Sequence, residues 1–165
     1  MDRKQLLQLD SQVCFPLYAA SRAMLQVYQP LLQPLGLTYP QYLVMMVLWE
    51  NDGTPVRKLC ERLYLDSGTL TPLLDRLEEA GLVKRKRSTE DARVVDIWLT
   101  AAGKRLEKRA QDVPEALGCK LRMSPTQLVR LRSMLHELFE QMRELTRAED
   151  KAQEKSQEKS KEKTS

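Results

Sequence analysis

The run LYLDSGTLTPLLDRLEEAGLVKRKRSTEDARVVDIWLT, Leu63 to Thr100, decides the fold. Leu70, Leu73, Leu74 and Leu77 fall at i, i+3, i+4 and i+7, the spacing of one buried helix face, so a helix is predicted from Ser67 to Ala80. Asp66 or Ser67 can cap it, and Gly81 supplies its stop. Ser67, Thr69, Thr71, Asp75, Arg76 and Glu79 remain for the solvent side. A shorter helix is predicted just before it, Val56 to Leu63, with a turn at Tyr64 to Asp66, which makes a helix-turn-helix pair. After Gly81, the stretches Leu82 to Arg87 and Val94 to Leu99 have strand character and flank the polar tip Ser88 to Arg93. They read as a β-hairpin, or wing.

Working outward, Val13, Leu17, Ala20, Met24 and Val27 recur at helical intervals and predict an amphipathic helix from Ser11 to Leu31, ending near Pro30. Pro40 opens the next helix, and Tyr42 to Trp49 is so uniformly apolar that it should be buried on most sides; Asn51, Asp52 and Gly53 end it. Downstream, Thr100 caps a helix that passes Leu106, Ala110, Val113 and Leu117, with a kink or break at Pro114. Ser124 and Pro125 start the last helix, where Leu128, Leu131, Leu135, Leu138, Met142 and Leu145 alternate spacings of three and four. That is the seam of a helix packed along a partner helix. Burial within one chain would give the same stripe, but its distance from the helix-turn-helix and the apolar N-terminal helix favour a dimer interface. The expected fold is mainly α with a small β-wing: a winged helix-turn-helix in a symmetric homodimer joined by its N- and C-terminal helices. Residues 1–147 form this domain, and 148–165, rich in Lys, Glu, Gln and Ser, are expected to be a disordered charged tail.

A chain of 165 residues suits one domain with an appendage rather than a two-domain enzyme. Lys and Arg number 27 against 23 Asp and Glu, a net charge of +4 that does not by itself announce a nucleic-acid partner. Its distribution does. Lys84, Arg85, Lys86, Arg87 and Arg93 cluster around the wing against Glu90 and Asp91. Such a hairpin can run along phosphates or place an arginine in the minor groove, while the preceding helix enters the major groove with Ser67, Thr69, Thr71 and Arg76. A charge run alone is more often a solvated tip; its position directly after a Ser- and Thr-faced helix is what gives the signal specificity. A symmetric dimer sets two recognition helices roughly 34–36 Å apart, so the expected partner is pseudo-palindromic double-stranded DNA. No run of about 18 apolar residues occurs, and Met1 to Asp10 lacks the layout of a secretory signal, so no membrane is expected and the cytoplasm is the expected location. Cys14, Cys60 and Cys119 are odd in number and widely spaced, with no C-x-x-C pair and His136 as the lone histidine. They predict neither a disulfide framework nor a metal site, and no cofactor is expected.

The run from Leu63 to Thr100, including Asp91-Ala92-Arg93 in the wing, resembles the winged helix-turn-helix of the MarR family. Within that family, LDSQVCFPLYAASRAM (Leu9 to Met24) and LTYPQYLVMMVLWE (Leu37 to Glu50) resemble the organic hydroperoxide-resistance regulators, the OhrR group. The resemblance covers nearly everything except the tail. It implies that Cys14 is the thiol that organic hydroperoxides oxidise. The local sequence agrees: with Ser11 as cap, Cys14 would lie in the first helical turn, where unsatisfied N–H groups and the helix dipole favour a thiolate. Without the resemblance, an inert core thiol would be the better reading. Tyr18, at i+4, is near Cys14 by spacing; Tyr28 and Tyr39 match the group's thiolate-stabilising tyrosines, across the dimer interface, on the resemblance alone. Pro16 departs from a regular helix and suggests that it begins nearer Phe15.

Cys119 resembles the resolving cysteine of the two-cysteine type. The resemblance therefore implies an intersubunit Cys14 to Cys119 disulfide, which needs Cα atoms about 4.4–6.8 Å apart, and a helix shift that releases operator DNA from a repressor. Cys60 matches nothing and reads as a packing residue. Two rivals stay open: a regulator of the same fold that answers to a small phenolic ligand, and a thiol peroxidase with Arg22 as its positive group. The second leaves the helix-turn-helix and wing unexplained, so an enzyme is not expected.

Overall fold

The computed structural model describes residues 4–88, 91 and 93–162, with side chains as far as residue 148. The chain forms two units, one ending at Lys120 and one beginning at Leu121. In the first, α1 (Cys14–Leu32) begins three residues later than Ser11, which closes a short 3-10 turn, Leu9–Ser11. Proline explains the shift. A helix capped at Ser11 would need an N–H from Pro16, whereas starting at Cys14 puts Pro16 third, where no N–H has an intrahelical partner. At the other end α1 includes Pro30 and stops at Leu32, one residue past the expected end, giving way to a 3-10 turn, Gln33–Leu35, closed by Gly36 at φ 68°.

α2 (Tyr39–Glu50) follows, with Gln41 Oε1 accepting from the Thr38 N–H at 2.8 Å and from the Thr38 hydroxyl at 3.0 Å. As the apolar run predicts, Tyr42, Val44, Met45, Val47 and Leu48 are buried, and so is the polar Gln41 just before it. Two residues, Thr54 and Pro55, then form β1, which the sequence reading missed, and α3 (Val56–Leu63) and α4 (Ser67–Glu79) make the expected helix-turn-helix. The turn between them depends on Tyr64 in the left-handed region at φ 56°. On α4, Leu70, Leu74 and Leu77 are fully buried and Leu73 packs against the same core.

β2 (Val83–Arg87) and β3 (Val95–Leu99) form the hairpin, and β1 pairs with the other edge of β3 to give an antiparallel sheet of order β1-β3-β2. The register sets Val83 opposite Leu99, Arg85 opposite Ile97 and Lys84 opposite Trp98. Period-2 alternation therefore puts Val83 and Arg85 on the covered face and Lys84 and Lys86 on the other. Thr100 caps α5 (Ala101–Ala110), and its hydroxyl also donates to Gly81 O at 2.6 Å. The break expected near Pro114 lies at Gln111: α6 (Asp112–Leu121) starts afresh with Pro114 third in the helix, where its missing N–H leaves no intrahelical bond unmade.

The wing root is fastened at three points. Asp52, in the turn after α2, accepts from Leu99 N at 2.7 Å and pairs with Lys104 of α5 at 2.7 Å. Trp49 Nε1 donates to Gly103 O at 3.0 Å. Gly103 lies so close to the wing that a Cβ there would stand 2.2 Å from Leu82 O.

In the second unit, α7 (Pro125–Glu162) opens with a reciprocal cap: Gln127 N donates to Ser124 Oγ at 3.2 Å, and Ser124 N donates to Gln127 Oε1 at 2.8 Å. The helix continues to Glu162. No described helix is long and apolar enough to cross a membrane.

Gly103→Ala tests the contact between α5 and the wing. Helix propensity alone would favour alanine, but the alanine methyl would collide with Leu82 O, so a loss of about 1–3 kcal/mol is expected. A melting temperature that rises instead would contradict the close approach.

Candidate DNA interface and thiol site

On α4, the candidate readers Ser67, Thr69, Thr71 and Arg76 are all exposed. Asp66 caps the helix, accepting from Thr69 N at 2.8 Å and from the Thr69 hydroxyl at 2.9 Å. These hydrogen bonds, the backbone one first, hold the Asp66 carboxyl below its ordinary range. The Thr71 hydroxyl donates to Ser67 O at 2.7 Å. Both threonine hydroxyls thus donate within the helix, and their oxygens remain able to accept from a base edge or sugar.

The five wing cations separate into two kinds. Lys84, Lys86, Arg87 and Arg93 are exposed. Lys86 Nζ stands 5.7 Å over the Trp98 ring, and that ring rests on Gly53, where a Cβ would come within 2.6 Å of it. Arg85 is half-buried: its guanidinium bridges Asp75, at 2.6 Å, and Glu78. Burial alone would push the Arg85 pKa down, but the bonds to the two carboxylates outweigh it and hold it above the usual arginine value. At the tip, Asp91 Oδ1 accepts from Arg93 N at 2.9 Å, so Asp91 shapes the turn that carries Arg93. Glu90 and Ala92 lie outside the described residues.

Cys14 is the first residue of α1, exposed, below a helix end that has no side-chain cap. Tyr18 follows one turn later, its oxygen accepting from Arg22 Nη1 at 2.9 Å while the guanidinium lies 5.7 Å over the ring. Tyr28 and Tyr39 come together elsewhere, with ring centroids 4.6 Å apart, and Tyr42 joins them at 6.2 Å from Tyr28. Tyr42 was missed by sequence reasoning, although its i+3 spacing from Tyr39 was a usable signal. Burial pushes the Tyr28 phenol up to about 12, with Tyr39 and Tyr42 adding to the effect, and burial raises Tyr39 and Tyr42 as well. All three are therefore neutral donors near pH 7. Tyr28 lies fourteen residues along α1 from Cys14, roughly 21 Å at 1.5 Å per residue. The phenol pair cannot reach the thiol of its own chain. Cys119 is exposed on α6, Cys60 is half-buried against the core, and all three cysteines are free.

The MarR family model matches residues 37–95. The organic hydroperoxide resistance transcriptional regulator of Bacillus subtilis is 47% identical over 138 residues, which span 84% of this chain and 94% of that protein. This chain belongs to the MarR family. Among solved structures, reduced AbfR bound to DNA aligns with a TM-score of 0.74 at 36% identity, covering 88% of this chain and 99% of that one. AbfR of Staphylococcus epidermidis in a disulfide-formed state aligns at 0.58 and 36% identity, over 83% of this chain and 96% of that one. The MarR relatives are transcriptional regulators, not enzymes, and the protein is accordingly a DNA-binding transcriptional regulator with a winged helix, which removes the peroxidase reading.

Because the Tyr28 pKa is raised on folding, the stability contributed by its neutral phenol is complete below pH 10.0 and is lost as pH climbs through about 12. In an alkaline absorbance titration, Tyr28→Phe should remove a component that ionises near 12. Removal of one that ionises near 10 would mean that the phenol is not buried against its neighbours.

Proposed function

We propose that this MarR-family protein is a homodimeric cytoplasmic repressor that senses organic hydroperoxides through Cys14. The carrying observation is the exposed thiol at the first position of an uncapped helix, in a chain 47% identical to an organic hydroperoxide resistance regulator. The thiolate is the nucleophilic form of a cysteine. Its sulfur attacks one peroxide oxygen, the O–O bond breaks, and the other oxygen leaves with its alkyl group, taking a proton to become an alcohol. Cys14 is then a sulfenic acid. The thiol of Cys119 from the other protomer displaces the hydroxyl, forming an S–S bond and releasing water.

A shared site is supported by the length of α1. Tyr28 and Tyr39, kept neutral and able to donate, can meet a Cys14 sulfur only if it belongs to a second copy. The two-chain arrangement would bury the stripe on α7, where Leu131, Leu135 and Met142 are exposed and Leu128 and Leu138 are half-buried. It would also present two α4 helices and two wings to a pseudo-palindrome, with Ser67, Thr69, Thr71 and Arg76 in the major groove and Lys84, Lys86, Arg87 and Arg93 along the backbone or minor groove. Disulfide formation would move the helices that set their spacing.

Cys14→Ser should bind operator DNA as the wild type does but ignore cumene hydroperoxide in an anisotropy assay. A second reading, release by a phenolic ligand, is supported by an apolar cavity of about 610 Å³ beside Leu25, Leu32, Leu37 and Tyr39. It would replace the first if Cys14→Ser still let go of DNA on addition of an oxidised or phenolic compound. Cys119→Ser should leave Cys14 oxidisable yet give only monomer on a non-reducing gel after peroxide; a covalent dimer in that variant would rule out Cys119 as the resolving thiol.

A further inference from the structure

Arg85 has the composition of a phosphate contact and the geometry of something else. Val83, two residues earlier on the same strand face, is buried at 2% exposure, so alternation turns the Arg85 side chain inward toward α4. There its Nη2 meets Asp75 Oδ1 at 2.6 Å, and its Nη1 meets Glu78 Oε2. The Arg85 backbone N–H also donates to Glu78 Oε1 at 3.0 Å, so one carboxylate receives both main chain and side chain of the strand. Asp75 and Glu78, at i and i+3, are neighbours on one flank of α4. Three hydrogen bonds to charged acceptors, two of them from a planar fork, therefore join the recognition helix to the first strand of the wing.

We propose that Arg85 is a positioning residue for DNA recognition. Its guanidinium does not grip a phosphate; it fixes the wing at a set angle to α4, so that helix and hairpin tip engage the duplex as one rigid pair. The same contact offsets part of the negative charge that Asp75 and Glu78 would otherwise present beside DNA.

The sign of the effect of one double variant separates this from a direct phosphate contact. Asp75→Asn with Glu78→Gln removes two negative charges from a DNA-facing helix, so electrostatics alone predicts tighter binding. The clamp predicts the reverse. Full-length wild type would first select a duplex from a randomised pool, and affinity for it and for a mixed-sequence duplex would be measured over a salt series. The double variant is expected to bind the selected duplex about tenfold more weakly. Its preference over mixed sequence should shrink, because helix and tip no longer arrive in register. Arg85→Lys keeps the charge without the fork and serves as the milder variant should the double one not fold. It is expected to lose several-fold in the same preference with an unchanged salt slope. Tighter binding by the double variant would overturn the proposal. So would full preference in Arg85→Lys combined with a salt slope reduced by about one in Arg85→Gln.

Discussion

Val44, Met45 and Leu48 expose nothing to solvent, and a twelve-residue helix that must be covered on so many sides requires neighbours all round. In the first unit those neighbours are α1, α3, α4, α5 and β3, each in contact with α2. The helix-turn-helix and the wing strand β3 are thus arranged about a buried apolar axis. Close packing makes such an axis stiff. The polar fastenings at the wing root, Asp52 to Leu99 and Lys104 and Trp49 to Gly103, start from the C-terminal end of this same helix and carry its position to the hairpin.

The parts of the fold legible in the sequence were those fixed by local period. Leu70, Leu74 and Leu77 announced α4, and Thr100 and Ser124 announced the caps of α5 and α7, because each signal spans only a few residues. Prolines were visible but harder to place: Pro16 and Pro114 both turned out to sit third in a helix, where proline is tolerated, while α1 ends two residues past Pro30, close to where it was expected. β1 was not legible, since two residues pair with a strand about forty positions away. Nor was the left-handed backbone at Tyr64, where a glycine would have been the usual marker. At the thiol site, the Cys14 to Tyr18 spacing could be read directly. The meeting of Tyr28 with Tyr39 is a tertiary fact that only the family resemblance suggested.

Counting charges around the wing blurs the separate settings of the residues within it. Five cations in one stretch do not make five equivalent hands. Lys86 is held beside the Trp98 ring, Arg93 is presented by a turn that Asp91 organises, and Arg85 faces α4. Side chains already restrained in the free protein lose less rotamer freedom on meeting a ligand, so an ordered set of neighbours contributes to affinity without touching the nucleic acid.

The nineteen residues of α1 have a consequence that reaches beyond geometry. An isolated chain carries the thiol at one end of a rod and the phenols toward the other, and no rotamer closes that gap. On the proposed function, a complete sensor is a property of assembly, absent in a solitary protomer and present twice in a pair. Mass action would decide how much oxidant-responsive protein a cell contains, and a scarce, dissociated population would be chemically deaf as well as weakly bound to its operator.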